Sequence, residues 1–319
     1  GRPVALAVNK IDTAGREVLA HEFHSLGFPD LFPVSAEHRL GVAELLDHVT
    51  ASFPPEPDAG AGPGRRAVKV AIIGRPNVGK STLLNALVGE QRAIVSPVAG
   101  TTRDAVDQHI VVDGTEYVFV DTAGMRRKGK TRLMAEKLSV VMARRHIRMA
   151  DVVLLLLDAS EGLVALDANI AGYAHQDGRP VVLCVNKWDA APARDRKAFT
   201  AEVRDALKFL DYAPVTFLSA KNGSGVRELL PLILEVYESS SKRIPTAELN
   251  RFLEGLQLEP DLKVLYMTQA SVRPPTFVLF THHRGKLHFS TERYIVNRLR
   301  KAFGFRGTPI VVKLQSRRR

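Results

Sequence analysis

The chain has 319 residues, of which 45% are hydrophobic and 25% are charged, and its formal net charge is +11. This balance is typical of globular domains and excludes a largely disordered chain. The single cysteine, Cys184, excludes a disulfide scaffold, and no apolar run reaches the roughly 18 residues of a membrane helix. We therefore expect a cytoplasmic protein with no membrane partner.

Two stretches of the chain are copies of each other. Residues 1–12 read GRPVALAVNKID and residues 178–189 read GRPVVLCVNKWD, with nine of the twelve positions identical. A second block, Ser-Ala, then Gly-Val, then Glu-Leu-Leu, follows both copies in the same order. The repetition predicts a duplicated domain. Its expected parts are a C-terminal fragment of the first copy at 1–52, a Pro- and Gly-rich linker at 53–66, a complete copy at 67–244 and a further domain at 245–319.

The complete copy alternates strand and helix signals. Continuous apolar runs predict buried strands at 68–73, 152–157, 181–185 and 215–218, and Asp113-Gly114 predicts a hairpin. A helix is expected to begin at Lys80. We expect an α/β fold with a mostly parallel sheet, helices on both faces and one antiparallel hairpin.

The phosphate-binding signal lies at residues 74–81, which read GRPNVGKS between a predicted strand and a predicted helix. Its glycines let the backbone approach phosphates, and the loop N–H groups and the helix N-terminus direct positive partial charge towards them. Lys80 is expected to reach the β- and γ-phosphates, and Ser81 to bind Mg²⁺. In DTAG at 121–124, we expect Asp121 to hold Mg²⁺ through water and the Gly124 N–H to meet the γ-phosphate.

Base selection is predicted from NKWD at 186–189. The Asp189 carboxylate can accept from the N1–H and 2-amino groups of guanine, which adenine lacks, and so favours GTP over ATP. Asn186 can contact the base and tie the loop, and the Lys187 stem can cover the ring. The Ser-Ala-Lys sequence at 219–221 then offers N–H groups to the guanine oxygen. The nucleotide-contacting residues predicted for GTP and GDP are Gly74, Arg75, Pro76, Asn77, Val78, Gly79, Lys80, Ser81, Thr82, Asp121, Thr122, Ala123, Gly124, Met125, Asn186, Lys187, Trp188, Asp189, Ser219, Ala220 and Lys221.

The charge of the chain is concentrated at its C-terminal end. Residues 245–319 contain 14 Lys and Arg against 5 Asp and Glu, whereas the preceding residues contain 31 against 29. An anionic partner bound at this end is one interpretation, and a basic surface that serves only solubility is the other. The tail predicts the order αββαβ, with strands at 262–268, 277–281 and 309–314. Its second helix is expected at 293–303, with Arg298, Arg300 and Lys301 on the polar side and GFRG at 304–307 as its cap rather than an RNA clamp.

Several motifs together resemble the bacterial Der (EngA) family of ribosome-assembly GTPases. They are GRPNVGKS, GTTRD at 100–104, DTAGMRRKGK at 121–130, NKWD, the duplication, and the tail segments LYMTQ, PPTFVLF and ERYIVNRLRKAFGFRGTPI. The resemblance covers essentially the whole chain. It implies two tandem GTPase domains, the first largely missing here, a C-terminal KH-like domain, and a role in large ribosomal subunit assembly. The implied partners are the large subunit and its rRNA; no DNA partner is expected.

The resemblance also assigns residue roles. It implies that 100–104 is the first switch, with Thr102 as a Mg²⁺ ligand and Thr101 as the alternative; a helix cap or turn is the other reading of these letters. The expected catalytic residues are Lys80, Thr102 and Gly124, and the expected metal ligands are Ser81, Thr102 and Asp121. Asn77 matches an asparagine that helps to hold K⁺ in related enzymes, or it only stabilises the loop. Met125 cannot orient the attacking water as a glutamine would.

Other interpretations stay open at this stage. An RNA-binding scaffold with a non-cycling GTPase array and a tRNA-modification GTPase share parts of the pattern, although the second would need a further catalytic domain. The first copy keeps Asn9, Lys10, Asp12, Ser35 and Ala36 without a phosphate loop. Since phosphate and Mg²⁺ contacts supply much of nucleotide affinity, we expect no useful GTP binding there.

Overall fold

The computed structural model describes residues 4–11, 21–28, 30–36, 41, 44–45, 48–49, 66–90, 107–120, 132–191, 193–259, 262–282, 285 and 287–316. The chain divides into two compact units, residues 1–64 and residues 65–319. The boundaries expected at 52/53, 66/67 and 244/245 remain predictions. Within the described part of the chain, no helix is both long and apolar enough to cross a membrane.

The first unit contains a small parallel sheet. Strands β1 (Leu6–Val8) and β2 (Leu31–Pro33) pair in parallel, and a 3₁₀ helix spans His21–Leu26. Val8, Ile11 and Val34 are buried. Phe23 and Leu26, in contrast, are exposed. The described residues of this unit therefore bury little apolar surface.

The second unit is built on a six-stranded sheet. Its strands are β3 (Arg66–Ile73), β4 (Gln108–Val112), β5 (Thr115–Phe119), β6 (Val152–Asp158), β7 (Val181–Asn186) and β8 (Val215–Phe217). Their spatial order is β4-β5-β3-β6-β7-β8, and every neighbouring pair is parallel except the β4–β5 hairpin. The predicted α/β class, with its mostly parallel sheet and single hairpin, is confirmed.

Helices cover both faces of this sheet. They are α1 (Lys80–Glu90), α2 (Arg132–Met149), α3 (Ala165–Gln176), α4 (Arg196–Ala206) and α5 (Leu229–Ser240). Every residue of β6 is buried. Leu154 and Leu156 pack with α1 and α5, whereas Leu155 and Leu157 pack with α2, α3 and α4. This alternation explains why the strand is apolar throughout instead of at every second position.

The tail forms an α+β layer in the predicted order αββαβ. Its elements are α6 (Thr246–Glu254), β9 (Val264–Val272), β10 (Pro275–Thr281), α7 (Phe289–Phe303) and β11 (Val311–Ser316). β10 lies between β9 and β11, antiparallel to the first and parallel to the second. β9 runs four residues beyond the predicted end because Val272 pairs with Pro275 across the turn. α7 starts four residues before the predicted start because the His288 side chain caps it.

The tail docks on the sheet domain through the loop after α7. Gly304 ends that helix as predicted, with its N–H bonded to the Arg300 carbonyl. Gly307 then donates to the Tyr212 carbonyl at 2.9 Å and accepts from the Val181 N–H at 2.7 Å. The loop therefore extends the hydrogen bonding of the sheet domain at the start of β7.

The sequence predicts that Arg300 lies with Arg298 and Lys301 on the polar side of α7, and Arg300 differs from those two in being partly buried. Its guanidinium donates to the carbonyls of Phe305 and Thr308 and lies 5.0 Å from the ring centroid of Tyr212. Burial lowers the pKa of Arg300. Helical periodicity placed this side chain correctly on its helix, but the neighbouring domain covers that position.

Gly307 tests the docking loop, because its φ is +72° and an added Cβ would lie 2.6 Å from Val236 Cγ2. We expect Gly307→Ala to lower the free energy of unfolding by about 2–4 kcal/mol through backbone strain and steric overlap. Urea unfolding measures this. Gly114→Ala is the matched control, since φ is +78° there and no atom lies within 4 Å of the added carbon. Equal losses in the two variants would contradict a close contact at Gly307.

Candidate guanine-nucleotide site

The phosphate loop connects the end of β3 to the start of α1. Helix α1 begins at Lys80, so its first N–H groups face the loop. Asn77 adopts a left-handed conformation with φ of +67°. Gly79 is required at its position, because a Cβ there would lie 2.4 Å from the Asn186 amide nitrogen. The local backbone is thus shaped for close approach by both a ligand and a neighbouring loop.

The Lys80 side chain is held by hydrogen bonds to the backbone of the phosphate loop. Its ammonium donates to the carbonyls of Gly74 at 2.9 Å and Arg75 at 2.7 Å. Burial lowers its pKa to about 8, while the charge of Asp167 opposes that shift. Lys80 is therefore mostly protonated at pH 7 and lies across the concave side of the loop, where phosphates bind in such loops.

Asn186 joins three of the predicted motifs. It is the last residue of β7, and its amide nitrogen donates to the Val78 carbonyl at 2.7 Å. Its amide oxygen accepts from the Ala220 N–H at 2.9 Å. The phosphate loop, NKWD and Ser-Ala-Lys therefore meet at one edge of the sheet. The Ala220 N–H, expected to meet the guanine oxygen, is bonded to Asn186 in this structure.

The rest of the guanine motif is built on a tight turn. Lys187 has φ of +59°, and its ammonium lies 2.6 Å from a carboxylate oxygen of Asp158 at the end of β6. Trp188 begins a 3₁₀ turn, and its ring packs 4.6 Å from that of Phe217, centroid to centroid. Asp189 lies in the same turn and is exposed. This geometry leaves the Asp189 carboxylate at the surface, where a base could meet it.

Two acidic residues that the sequence motifs did not indicate, Glu161 and Asp167, contact the phosphate loop through Arg75. Arg75 contacts Glu161, the Gly162 carbonyl at 3.3 Å and Asp167 at 3.4 Å. Although burial disfavours a charged guanidinium, its hydrogen bond with Glu161 and the nearby carboxylates raise the pKa of Arg75. The sequence contains a signal for the Glu161 carboxylate, because DASEG at 158–162 directly follows the apolar run of β6 and so lies at the same sheet edge as the phosphate loop.

The pKa values of the two buried carboxyl groups, Asp158 and Asp167, are shifted in opposite directions. Burial alone would raise the pKa of Asp158, but hydrogen bonds from Lys187 and Ser160 hold it below its ordinary value. Burial raises the pKa of Asp167, and the Val164 N–H and Arg75 oppose that shift. Asp158 is therefore the better stabilised carboxylate of the two.

Several predicted residues lie outside the described part of the chain. They are Thr101, Thr102, Asp121, Thr122, Ala123, Gly124 and Met125. Ser81 is described and directly follows the first residue of α1, with its side chain at the surface of the loop. A hydroxyl oxygen suits Mg²⁺, which takes hard oxygen ligands and much of its coordination from phosphates and water. Ser81 thus fits a Mg²⁺–nucleotide complex.

The first unit repeats the guanine half of this geometry. The Asn9 side-chain oxygen accepts from the Ala36 N–H at 3.0 Å, as Asn186 does from Ala220. Lys10 has φ of +72°, close to that of Lys187. The sequence copies therefore fold alike at this point. Asp12 lies outside the described residues, and the absence of GTP binding in this unit stays a prediction.

Comparison with known proteins identifies the class. Residues 69–187 match a family model described as a 50S ribosome-binding GTPase, and residues 243–315 match the C-terminal KH-domain-like family of EngA bacterial GTPases. GTPase Der of Bacillus cereus strain ATCC 10987 is 48% identical over 99% of this chain and 74% of its own length. GTPase Der of Geobacillus kaustophilus is 47% identical over the same shares. A crystal structure of Era with MgGDPNP and 16S ribosomal RNA aligns with a TM-score of 0.43 and 25% identity over 79% of this chain and 93% of that one.

The protein is a P-loop GTPase, which binds and hydrolyses GTP. Its phosphate loop contains the expected lysine and is linked to the guanine motif through Asn186. More particularly, the chain belongs to the Der (EngA) family of GTPases. The KH-like tail predicted from the sequence is confirmed by the match at 243–315.

Asp189→Asn tests the predicted base contact. We expect this change to weaken GDP binding about 100-fold and to strengthen XDP binding, since the amide replaces an acceptor by a donor towards the altered base edge. Calorimetric titration measures the affinities for GDP and XDP. Asp195→Asn serves as the control, because Asp195 caps α4 outside this motif. Unchanged discrimination between GDP and XDP would remove Asp189 from the base site.

Proposed function

We propose that this chain is a GTP-driven switch that acts in assembly of the large ribosomal subunit in the cytoplasm. In this proposal the sheet domain binds Mg²⁺–GTP and the basic tail contacts rRNA. Lys80, Thr102 and Gly124 stabilise or sense the γ-phosphate, and Ser81, Thr102 and Asp121 hold Mg²⁺. The remaining predicted residues of the phosphate and guanine motifs hold the nucleotide, Arg75 through its backbone only.

One observation carries the proposal, namely the direct attachment of the basic tail to the nucleotide domain. Arg273 of the tail contacts Asp151 and the Tyr237 hydroxyl, both at 3.1 Å, and Arg306 contacts Glu235 at 2.9 Å. Together with the hydrogen bonds of Gly307, these contacts attach the tail to the sheet domain at several separate points. A change in nucleotide state can therefore alter how an RNA-binding surface is presented. The match to a ribosome-binding GTPase family over 69–187 supports the same proposal.

Binding to isolated large subunits tests the ribosomal part. We expect a nonhydrolysable GTP analogue to strengthen co-sedimentation about tenfold over GDP, and rising salt to weaken it as phosphate contacts are lost. The double change Arg298→Glu and Lys301→Glu removes positive charge from the exposed face of α7 and is expected to weaken binding at low salt.

The matched control is Lys197→Glu with Lys208→Glu, which changes the charge equally on exposed positions of the sheet domain. Equal loss in the two double variants would point to non-specific attraction and contradict a tail-borne site. Binding that is tight but independent of nucleotide would favour the RNA-binding scaffold instead. No binding to large subunits would overturn the ribosomal proposal.

We include K⁺ as a cofactor of hydrolysis in the proposal, held beside the phosphates with help from Asn77. Positive charge there would stabilise the charge developing on the transferred phosphoryl group. GTP turnover is expected to be about tenfold faster in KCl than in NaCl at equal ionic strength. Asn77→Gly keeps the left-handed backbone but removes the side chain, and it should abolish this difference. Equal rates of the unaltered chain in both salts would contradict the K⁺ proposal.

A further inference from the structure

The side chain of Arg75 is buried against other parts of the protein. Only 10% of the side chain is exposed, and its contacts with described residues all reach one stretch, residues 158–167, which we call the acidic segment. One terminal nitrogen meets Glu161, the other donates to the Gly162 carbonyl, and Nε faces Asp167. An arginine in a phosphate-binding loop is thus committed to the protein rather than to the ligand.

Asp167 is the buried end of this arrangement. Its side chain is fully buried, and one carboxylate oxygen accepts from the Val164 N–H at 3.2 Å at the start of α3. Glu161, by contrast, is 58% exposed. Glu161 makes the closer contact with the guanidinium, but solvent screens the charge of exposed Glu161 far more than that of buried Asp167.

The other end of the acidic segment reaches the guanine motif. Asp158, which is 1% exposed, accepts from the Ser160 N–H at 2.9 Å and lies 2.6 Å from the Lys187 ammonium. The segment therefore touches the phosphate loop at Arg75 and the base-selecting loop at Lys187. It is a second link between the two halves of the site, separate from the Asn186 amide.

The position of Arg75 also bears on Lys80. The Arg75 carbonyl accepts from the Lys80 ammonium at 2.7 Å. When the acidic segment holds the Arg75 guanidinium in place, it also restricts the backbone carbonyl of Arg75. This carbonyl is one of the two hydrogen-bond acceptors that orient the Lys80 ammonium. We propose that Arg75 and Asp167 are positioning residues that set the phosphate loop and Lys80 for phosphate binding. This inference concerns the nucleotide site and does not depend on the ribosomal proposal.

Three variants separate positioning from stability. Asp167→Asn is expected to weaken GDP binding about tenfold, since small displacements of a binding group reduce its effect strongly. It should also lower the melting temperature, because Arg75 loses its buried anionic partner and keeps only the exposed Glu161 as a carboxylate. Arg75→Met combined with Asp167→Asn removes both charges, so the melting temperature should return close to its original value while GDP binding stays about tenfold weaker. Glu161→Gln, the matched control on the same guanidinium, should change GDP affinity less than about twofold.

The measurements are GDP affinity by calorimetry, kcat and KM for GTP, and thermal unfolding of the nucleotide-free chain. Recovery of both affinity and melting temperature in the double variant would show that the pair serves stability alone and would overturn the inference. Affinity of Asp167→Asn within twofold of the original would overturn it as well. If the double variant does not fold, Arg75→Lys decides: it keeps the charge but lacks the planar fork, so weaker GDP binding at an unchanged melting temperature supports positioning, and unchanged binding refutes it.

Discussion

The nucleotide site depends on the two hydrogen bonds of one buried amide, that of Asn186. Its nitrogen reaches the Val78 carbonyl in the phosphate loop, and its oxygen receives the Ala220 N–H from the loop after β8. An amide can serve both because it carries a donor and an acceptor on one planar group. A carboxylate or a second carbonyl in its place would leave one partner unpaired in a buried setting, where unpaired groups destabilise strongly. Three loops far apart in the chain therefore take one arrangement.

Buried ion pairs also fix the phosphate loop and the guanine motif relative to each other. Arg75 and Lys187 reach the two ends of the acidic segment, and Lys80 lies between carbonyl acceptors above it. Buried charges are tolerated only when paired, so Arg75 and Lys187 each hold their loop against a fixed carboxylate. The result is a polar layer between the apolar sheet and the predicted nucleotide site. Such a layer aims groups at phosphates before the ligand arrives and so reduces the ordering needed on binding.

The tail is joined to this domain by backbone as much as by charge. Gly307 exchanges hydrogen bonds with Tyr212 and Val181, and the absence of a side chain lets the loop lie against Val236. Arg300 then fills the junction from the tail side, bonded to carbonyls of its own loop and stacked on Tyr212. GFRG, which has the letters of an RNA-clamping loop, is thus part of an interdomain contact.

Much of this could be read from the letters alone. Apolar runs and glycine-bounded turns determined the strands, the hairpin and the order of the tail elements, because periodicity and turn chemistry are local. The motifs with their spacing also determined that the ligand is GTP. Only the tertiary structure decided that Arg300 faces a neighbouring domain and that Arg75 pairs with Glu161, 86 residues away, and with Asp167. The Arg75 contacts arise where β3 and β6 end at one sheet edge, whereas the Arg300 contact arises at the junction with the tail. Strand order creates the first of these neighbourhoods, and no local pattern in the sequence encodes it.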